Sequence, residues 1–182
     1  MGIEDDLSRL RADRTEQDRL AAAKAQEAQD TETRLREASR EIGRELVEAL
    51  QRRGVRADRS LKITQTRHHF GVSDTVLKFS GPPGWWLPGL HVPVTTTGAF
   101  VTLWRYPTKR GEQCRVEEIG VEREDRWADY YLGENRDGVG YVWVDRSFGW
   151  DGRLYLFREA AVRGLDQLAT QQDQPRRKGW FR

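Results

Sequence analysis

Apolar positions along the first fifty residues recur at intervals of three and four. Ile3, Leu7, Leu10, Ala21, Ala28, Leu35, Ala38 and Ile42 share one continuous seam of the kind that pairs helices in coiled coils. The same seam passes through Arg14, Gln17, Lys24 and Thr31, so its middle is poor in apolar groups. Beyond Ile42 the pattern drifts to Leu46, Ala49 and Leu50, nearer the 3.6-residue period of a helix docked on a core. No Pro interrupts Ile3 to Arg53, and Gly43 is the one Gly inside that run. The spacing therefore predicts a helix over 1–53, about 75 Å long at 1.5 Å per residue. We expect an arm over 1–30 and a docked part over 31–53, with Leu35 to Leu50 facing the protein's own sheet. Asp5/Arg9, Asp30/Arg34, Glu32/Arg36 and Glu48/Arg52 are carboxylate-first pairs four apart, each worth about 0.2–0.5 kcal/mol. Acidic residues at 4–6 suit the positive helix start. Arg52, Arg53 and Gly54 suit its end.

The pattern changes after Ser60. Leu61, Ile63 and Gln65 alternate with Lys62, Thr64 and Thr66, the period of a half-buried strand. Thr75 to Phe79 predicts a second strand. Ser80-Gly81-Pro82-Pro83-Gly84 breaks the sheet, because proline lacks a backbone donor and glycine favours turns. Trp85 to Thr95 follows, interrupted at Pro88-Gly89. Thr96-Thr97-Gly98 reads as a hairpin turn into Ala99–Tyr106, and Pro107 to Gly111 as another. Cys114 to Glu124 alternates until Val121 breaks phase. The segment Trp127–Asn135 reads as a short helix or a loop. Asp137-Gly138 opens a strand over Val139 to Arg146, and Asp151-Gly152 reads as the turn into Arg153–Phe157. A final helix over about Arg158 to Gln172 presents Ala161, Leu165 and Leu168 to the sheet.

These elements predict an α+β fold: a long N-terminal helix, an antiparallel β-meander of five to seven strands, and a C-terminal helix packed on the sheet. The domain boundaries that follow are a helix over 1–53, a β domain with its closing helix over 54–172, and a basic, aromatic tail over 173–182.

Charge refines the picture. Of 182 residues 33% are charged, above the usual quarter, yet the net charge is only +2. Residues 1–53 carry 11 Lys and Arg against 13 Asp and Glu, and 54–111 carry 8 against 2. Residues 112–138 carry 4 against 9, and 139–182 carry 8 against 5. A basic segment followed by an acidic one suits complementary strands, or else marks a basic face. Arginine outnumbers lysine 26 to 5, a skew of GC-rich bacterial coding that carries no functional weight. With the single Cys114 there is no internal disulfide or Cys-rich zinc site. No apolar core follows Met1 and no stretch nears the ~20 apolar residues of a membrane span, so we expect a cytoplasmic protein without membrane contact.

Candidate chemistry is sparse. His68 and His69 are adjacent on a strand and point to opposite faces, so they do not ligate one metal without a bend. Cys114 and His91 would form a nucleophile and base only if their strands met. Glu117 and Glu118 are likewise adjacent. No phosphate-cradling glycine motif or nucleophile elbow occurs. We therefore assign no catalytic, cofactor-binding or metal-binding residues and no cofactor. The aromatic residues carry the remaining signal. Trp85-Trp86 lie in a Gly/Pro-rich loop and cannot both point inward on an extended chain. An exposed Trp near Arg is a hot-spot composition. The tail adds Arg176, Arg177, Lys178 and Trp180.

We accordingly expect a non-enzymatic protein-protein interaction or assembly protein. Its partner-binding residues would be Trp85, Trp86, Arg176, Arg177, Lys178 and Trp180, and residues 1–30 would engage a protein partner or a second copy. One alternative is nucleic-acid binding through the basic 54–111 face and the tail. Another is a small hydrolase or nuclease using His68 or His69 with Asp74.

Overall fold

The computed structural model describes residues 2–69, 72–109, 111–123, 125–145 and 149–173. Its elements run α1 (Ile3–Arg52), β1 (Lys62–His69), β2 (Val72–Ser80), β3 (Gly84–Trp85), β4 (Val94–Thr95), β5 (Val101–Thr108), β6 (Gly111–Glu118), β7 (Tyr130–Asn135), β8 (Gly138–Asp145), β9 (Gly149–Leu156) and α2 (Phe157–Asp173). The protein is α+β, with antiparallel strands between a long first helix and a closing one. The chain divides into two compact units, Met1–Arg34 and Leu35–Arg182.

In the first unit residues 9–30 are exposed throughout, Leu10 and Leu20 included. Local pairs support this helix. Arg19 pairs with Glu16 at 3.2 Å, and the Gln26 amide donates to Asp30 at 2.8 Å.

In the second unit α1 continues from Leu35 and changes character. Leu35, Leu46, Val47 and Leu50 are buried, with Ile42 packed beside them. Each such side chain stabilises the fold by about 1.5–3 kcal/mol. Gly43 lies on this stripe because nothing larger fits. A Cβ there would come within 1.9 Å of the Gly98 carbonyl oxygen. Gly98 itself has φ of 84°, the left-handed conformation that glycine adopts at no steric cost. Helix backbone and hairpin backbone thus touch directly. That hairpin is the one expected over Thr96-Thr97-Gly98, closed by the Thr95 N–H donating to Ala99 O at 2.8 Å.

Four small antiparallel sheets share the strands: β1-β2, β3-β4, β5-β6 and β7-β8-β9. Seven of the nine strands have six residues or more, and β3 and β4 have two each. Backbone hydrogen bonds between loops and strands tie the sheets in sequence, as from Ile119 to Phe100, Leu132 to Gly120, and Val144 to Asp129. The principal core joins Leu46, Leu50, Trp85, Leu90, Phe100, Ile119, Tyr141 and Phe157. A second cluster packs Leu61, Ile63, Val101 and Leu103. A third surrounds the fully buried Trp104 with Ala128, Tyr131 and Val144.

Several sequence expectations are corrected. The segment Trp127–Asn135 is neither helix nor loop over its second half but strand β7 (Tyr130–Asn135), because Tyr130 to Asn135 pair in register with Trp143 to Gly138. Asp151-Gly152 is not a turn. It lies inside β9, where Val142 faces Leu154 and Val144 faces Trp150, so residues 151–153 oppose Trp143 alone. The dipeptide serves a β-bulge, which breaks the ladder and bends the strand. The turn expected over Pro107 to Gly111 is tighter, since Pro107 still pairs with Glu112 and Thr108 with Gly111. On α2 Leu165 is only half-buried, while Ala160 and Ala161 are buried. There the helix lies close to its support: a Cβ on the buried Gly164 would meet Leu87 and Pro88 at 3.0 Å.

Candidate binding site

The Trp pair separates as adjacent residues on extended chain must. Trp85 is buried, its indole N–H donating to the Val55 carbonyl at 3.2 Å. It belongs to the core and is removed from the candidate surface: burial and its hydrogen bond leave it nothing to offer a partner. Trp86 is 42% exposed.

The loop after Trp86 repeats this division. Leu87, Leu90, Val92 and Pro93 anchor it in the core and leave His91 exposed. A turn with Gly89 at φ 75° and the Leu90 N–H donating to Leu87 O fixes the approach. The His91 N–H then donates to the Tyr141 hydroxyl at 3.2 Å. This bond ties the loop to the three-stranded sheet and satisfies a buried phenol.

The register of that sheet places Tyr130, Leu132, Tyr141, Trp143 and Tyr155 on one face. Leu132 and Tyr141 are its buried part. Tyr130 and Tyr155 are half-buried, and Trp143 is exposed at the rim. The bulge in β9 leaves Trp143 without a single directly opposed residue on that side. The His91 ring lies parallel to Tyr130 at a centroid distance of 6.4 Å and edge-on to Tyr155 at 5.6 Å. Tyr141 stacks on Tyr155 at 5.4 Å.

Two clefts meet at the His91–Tyr130 pair. One, of about 230 Å³, is lined by His91, Tyr130, Trp143 and Tyr155. The other, of about 160 Å³, runs past Trp86, His91 and Tyr130 to Ile63, Leu103 and Asp129. Among the described residues Asp129 is the one carboxylate in either lining, and it lines the second. It accepts two hydrogen bonds from Arg105 at 2.8 and 2.9 Å. The Arg105 side chain is 8% exposed and that of Asp129 45%, so the pair shows solvent its acidic end. Burial pulls the Arg105 guanidinium down, but the bonds and charge of Asp129 outweigh it and hold the group above its usual range. Burial, then the negative charge of Asp129, pushes the Tyr130 phenol up to about 12.

Other expected candidates fall elsewhere. Cys114 sits opposite Arg105 on β6 and packs against the Leu61 cluster, whereas the His91 ring lies among three tyrosines. They form no nucleophile–base pair. Glu117 accepts from the Tyr106 hydroxyl at 2.6 Å and faces Arg126, while Glu118 takes Arg40. The side chains of His68, His69 and Asp74 lie outside the described residues, as do Arg176, Arg177, Lys178 and Trp180 of the tail. Among the described residues no three His, Cys, Asp or Glu gather as a metal site, and no helix is long and apolar enough to cross a membrane.

Of the residues around the two clefts, sequence reasoning reached Trp86 as a partner-binding residue and His91 only as a candidate base. The alternation Tyr130/Leu132 and Val139/Tyr141/Trp143 carries the signal for the rest, but only once 130–135 is read as strand. Comparison with known proteins finds no family that matches the chain, no similar curated protein and no similar solved structure.

Proposed function

We propose that this chain is a non-enzymatic interaction protein whose β domain holds an aromatic cleft for a protein partner. The observation that carries this is the exposure of Trp86 and Trp143 beside a cleft walled by His91, Tyr130 and Tyr155. A rigid aromatic rim loses little entropy on binding, and aromatic anchors dominate interface energetics. The helix over 1–30 is a second contact for a protein partner or another copy, supported by its exposed Leu10 and Leu20. A cytoplasmic location belongs to the same proposal on the sequence grounds already given. Capture from a cell extract tests it, with immobilised full-length protein and a Trp86→Ala/Trp143→Ala variant of unchanged circular dichroism. Proteins retained by the first and lost from the second are expected. Identical capture by both would remove the cleft from the proposal.

A second reading, nucleic-acid binding, is favoured by one observation: Arg56, Arg59, Lys62 and Lys78 are exposed, and the β1-β2 register puts Lys62 and Lys78 on one face. It requires binding of a single-stranded oligonucleotide that weakens steeply with salt.

A further inference from the structure

We propose that the aromatic cleft receives the guanidinium group of an arginine from an extended basic segment of the partner, held against the Tyr155 and Trp143 rings. The proposal rests on the interaction reading above and names its ligand chemistry.

Three observations support a cation. First, among the described residues no Lys or Arg lines either cleft, and the one charged residue that does is Asp129, in the smaller cleft beyond Tyr130. An anionic ligand would meet ring faces in one cleft and a carboxylate in the other, with Arg153 over Tyr155 as a described cation at the edge. Ring faces carry negative quadrupole potential and attract cations. Second, the acidic end of the Arg105–Asp129 pair faces outward, since Asp129 is the more exposed partner. Third, the molecule already places guanidinium groups on its rings. Arg126 lies 4.1 Å from the centroid of the Trp104 ring inside the protein, and Arg153 lies 5.4 Å over Tyr155 beside the cleft. Arg153 is exposed and leaves the bulge opposite Trp143. It occupies the position the ligand would take, so the ligand displaces it and meets its like charge.

That competition gives the test its sign. The full-length protein is titrated with a labelled decapeptide of alternating arginine and serine, with the same peptide carrying citrulline, a neutral isostere of arginine, and with a single-stranded oligonucleotide. The arginine peptide is expected to bind about fivefold or more tightly than the citrulline peptide. Trp143→Ala should erase that preference. Arg153→Ala should strengthen arginine-peptide binding, because it removes both competitor and repulsion. Weakening by Arg153→Ala, or binding of the oligonucleotide that Arg153→Ala weakens, would overturn the proposal in favour of an anion site. Equal binding of both peptides, lost on Trp143→Ala, would overturn the arginine assignment while leaving the cleft a peptide site. No binding of either peptide would overturn the arginine assignment. If capture were also unchanged by the double Trp variant, the interaction reading of the cleft would fail with it.

Discussion

At Gly43 two physical effects oppose each other, and their magnitudes decide the outcome. Alanine in a helix interior is favoured over glycine by about 1 kcal/mol. The added Cβ would sit 1.9 Å from the Gly98 carbonyl oxygen, a backbone atom that cannot swing aside. Overpacking of this kind costs about 1–3 kcal/mol and requires the hairpin to move. Gly43→Ala is therefore expected to lower stability, by up to about 2 kcal/mol net, read from urea unfolding midpoints. A gain in stability would mean that α1 and the Thr96–Gly98 turn do not touch. The two leucines at the centres of the helical stripes differ similarly. Leu46 is 3% exposed, and Leu46→Ala is expected to cost about 2–5 kcal/mol. Leu165, only half-buried, should cost clearly less. The sequence placed both at the centre of a stripe. It did not show that Gly164 presses α2 against Leu87 and Pro88, leaving Leu165 at the edge of the contact.

At the scale of elements, what the sequence reveals depends on how local its cause is. The 3.6-residue period, the terminal charges and Gly54 located α1, which ends at Arg52. The hairpin at Thr96–Gly98 was legible because a positive-φ glycine announces it. Asp151-Gly152 is equally turn-like as a dipeptide and yet lies within β9, since the choice between turn and bulge is made by the partner strand. Strand β7 was hidden for a related reason: its aromatic residues show a period only when paired with β8. The cleft is built from β7, β8, β9 and the His91 loop, so its assembly was out of reach of local pattern. The first unit invites a prediction at this scale. Residues 9–30 bury nothing in the chain alone. Removal of residues 1–30 should leave the thermal midpoint nearly unchanged. A fall beyond roughly 10 °C, well over 1 kcal/mol for a chain of this size, would show that the segment contributes to the stability of the β domain.

For the molecule as a whole, the phenols packed in its cores predict how stability responds to alkali. Burial, followed by Asp129, Tyr141 and Tyr155, raises Tyr130 to about 12. Burial also raises Tyr141, against a smaller opposing effect of the His91 N–H, and raises Tyr106, where Glu117 adds to it. In the unfolded chain these phenols lose their protons near pH 10. The folded state therefore holds protons that the unfolded state releases above that pH, and stability must fall as pH rises. The contribution is fully present below about pH 10 and is lost progressively as pH climbs through the raised values, toward about 12 for Tyr130. Acid does not remove it, since the neutral phenol is the form the core accepts. Tyr130→Phe takes away one titrating group while keeping the ring beside His91. Its unfolding midpoint should decline less between pH 10 and 12 than that of the native chain, whatever their offset at neutral pH. Parallel decline in both proteins would show that Tyr130 is not shielded, and that the Asp129 side of the cleft is more open to water than the packing of His91, Tyr141 and Tyr155 requires.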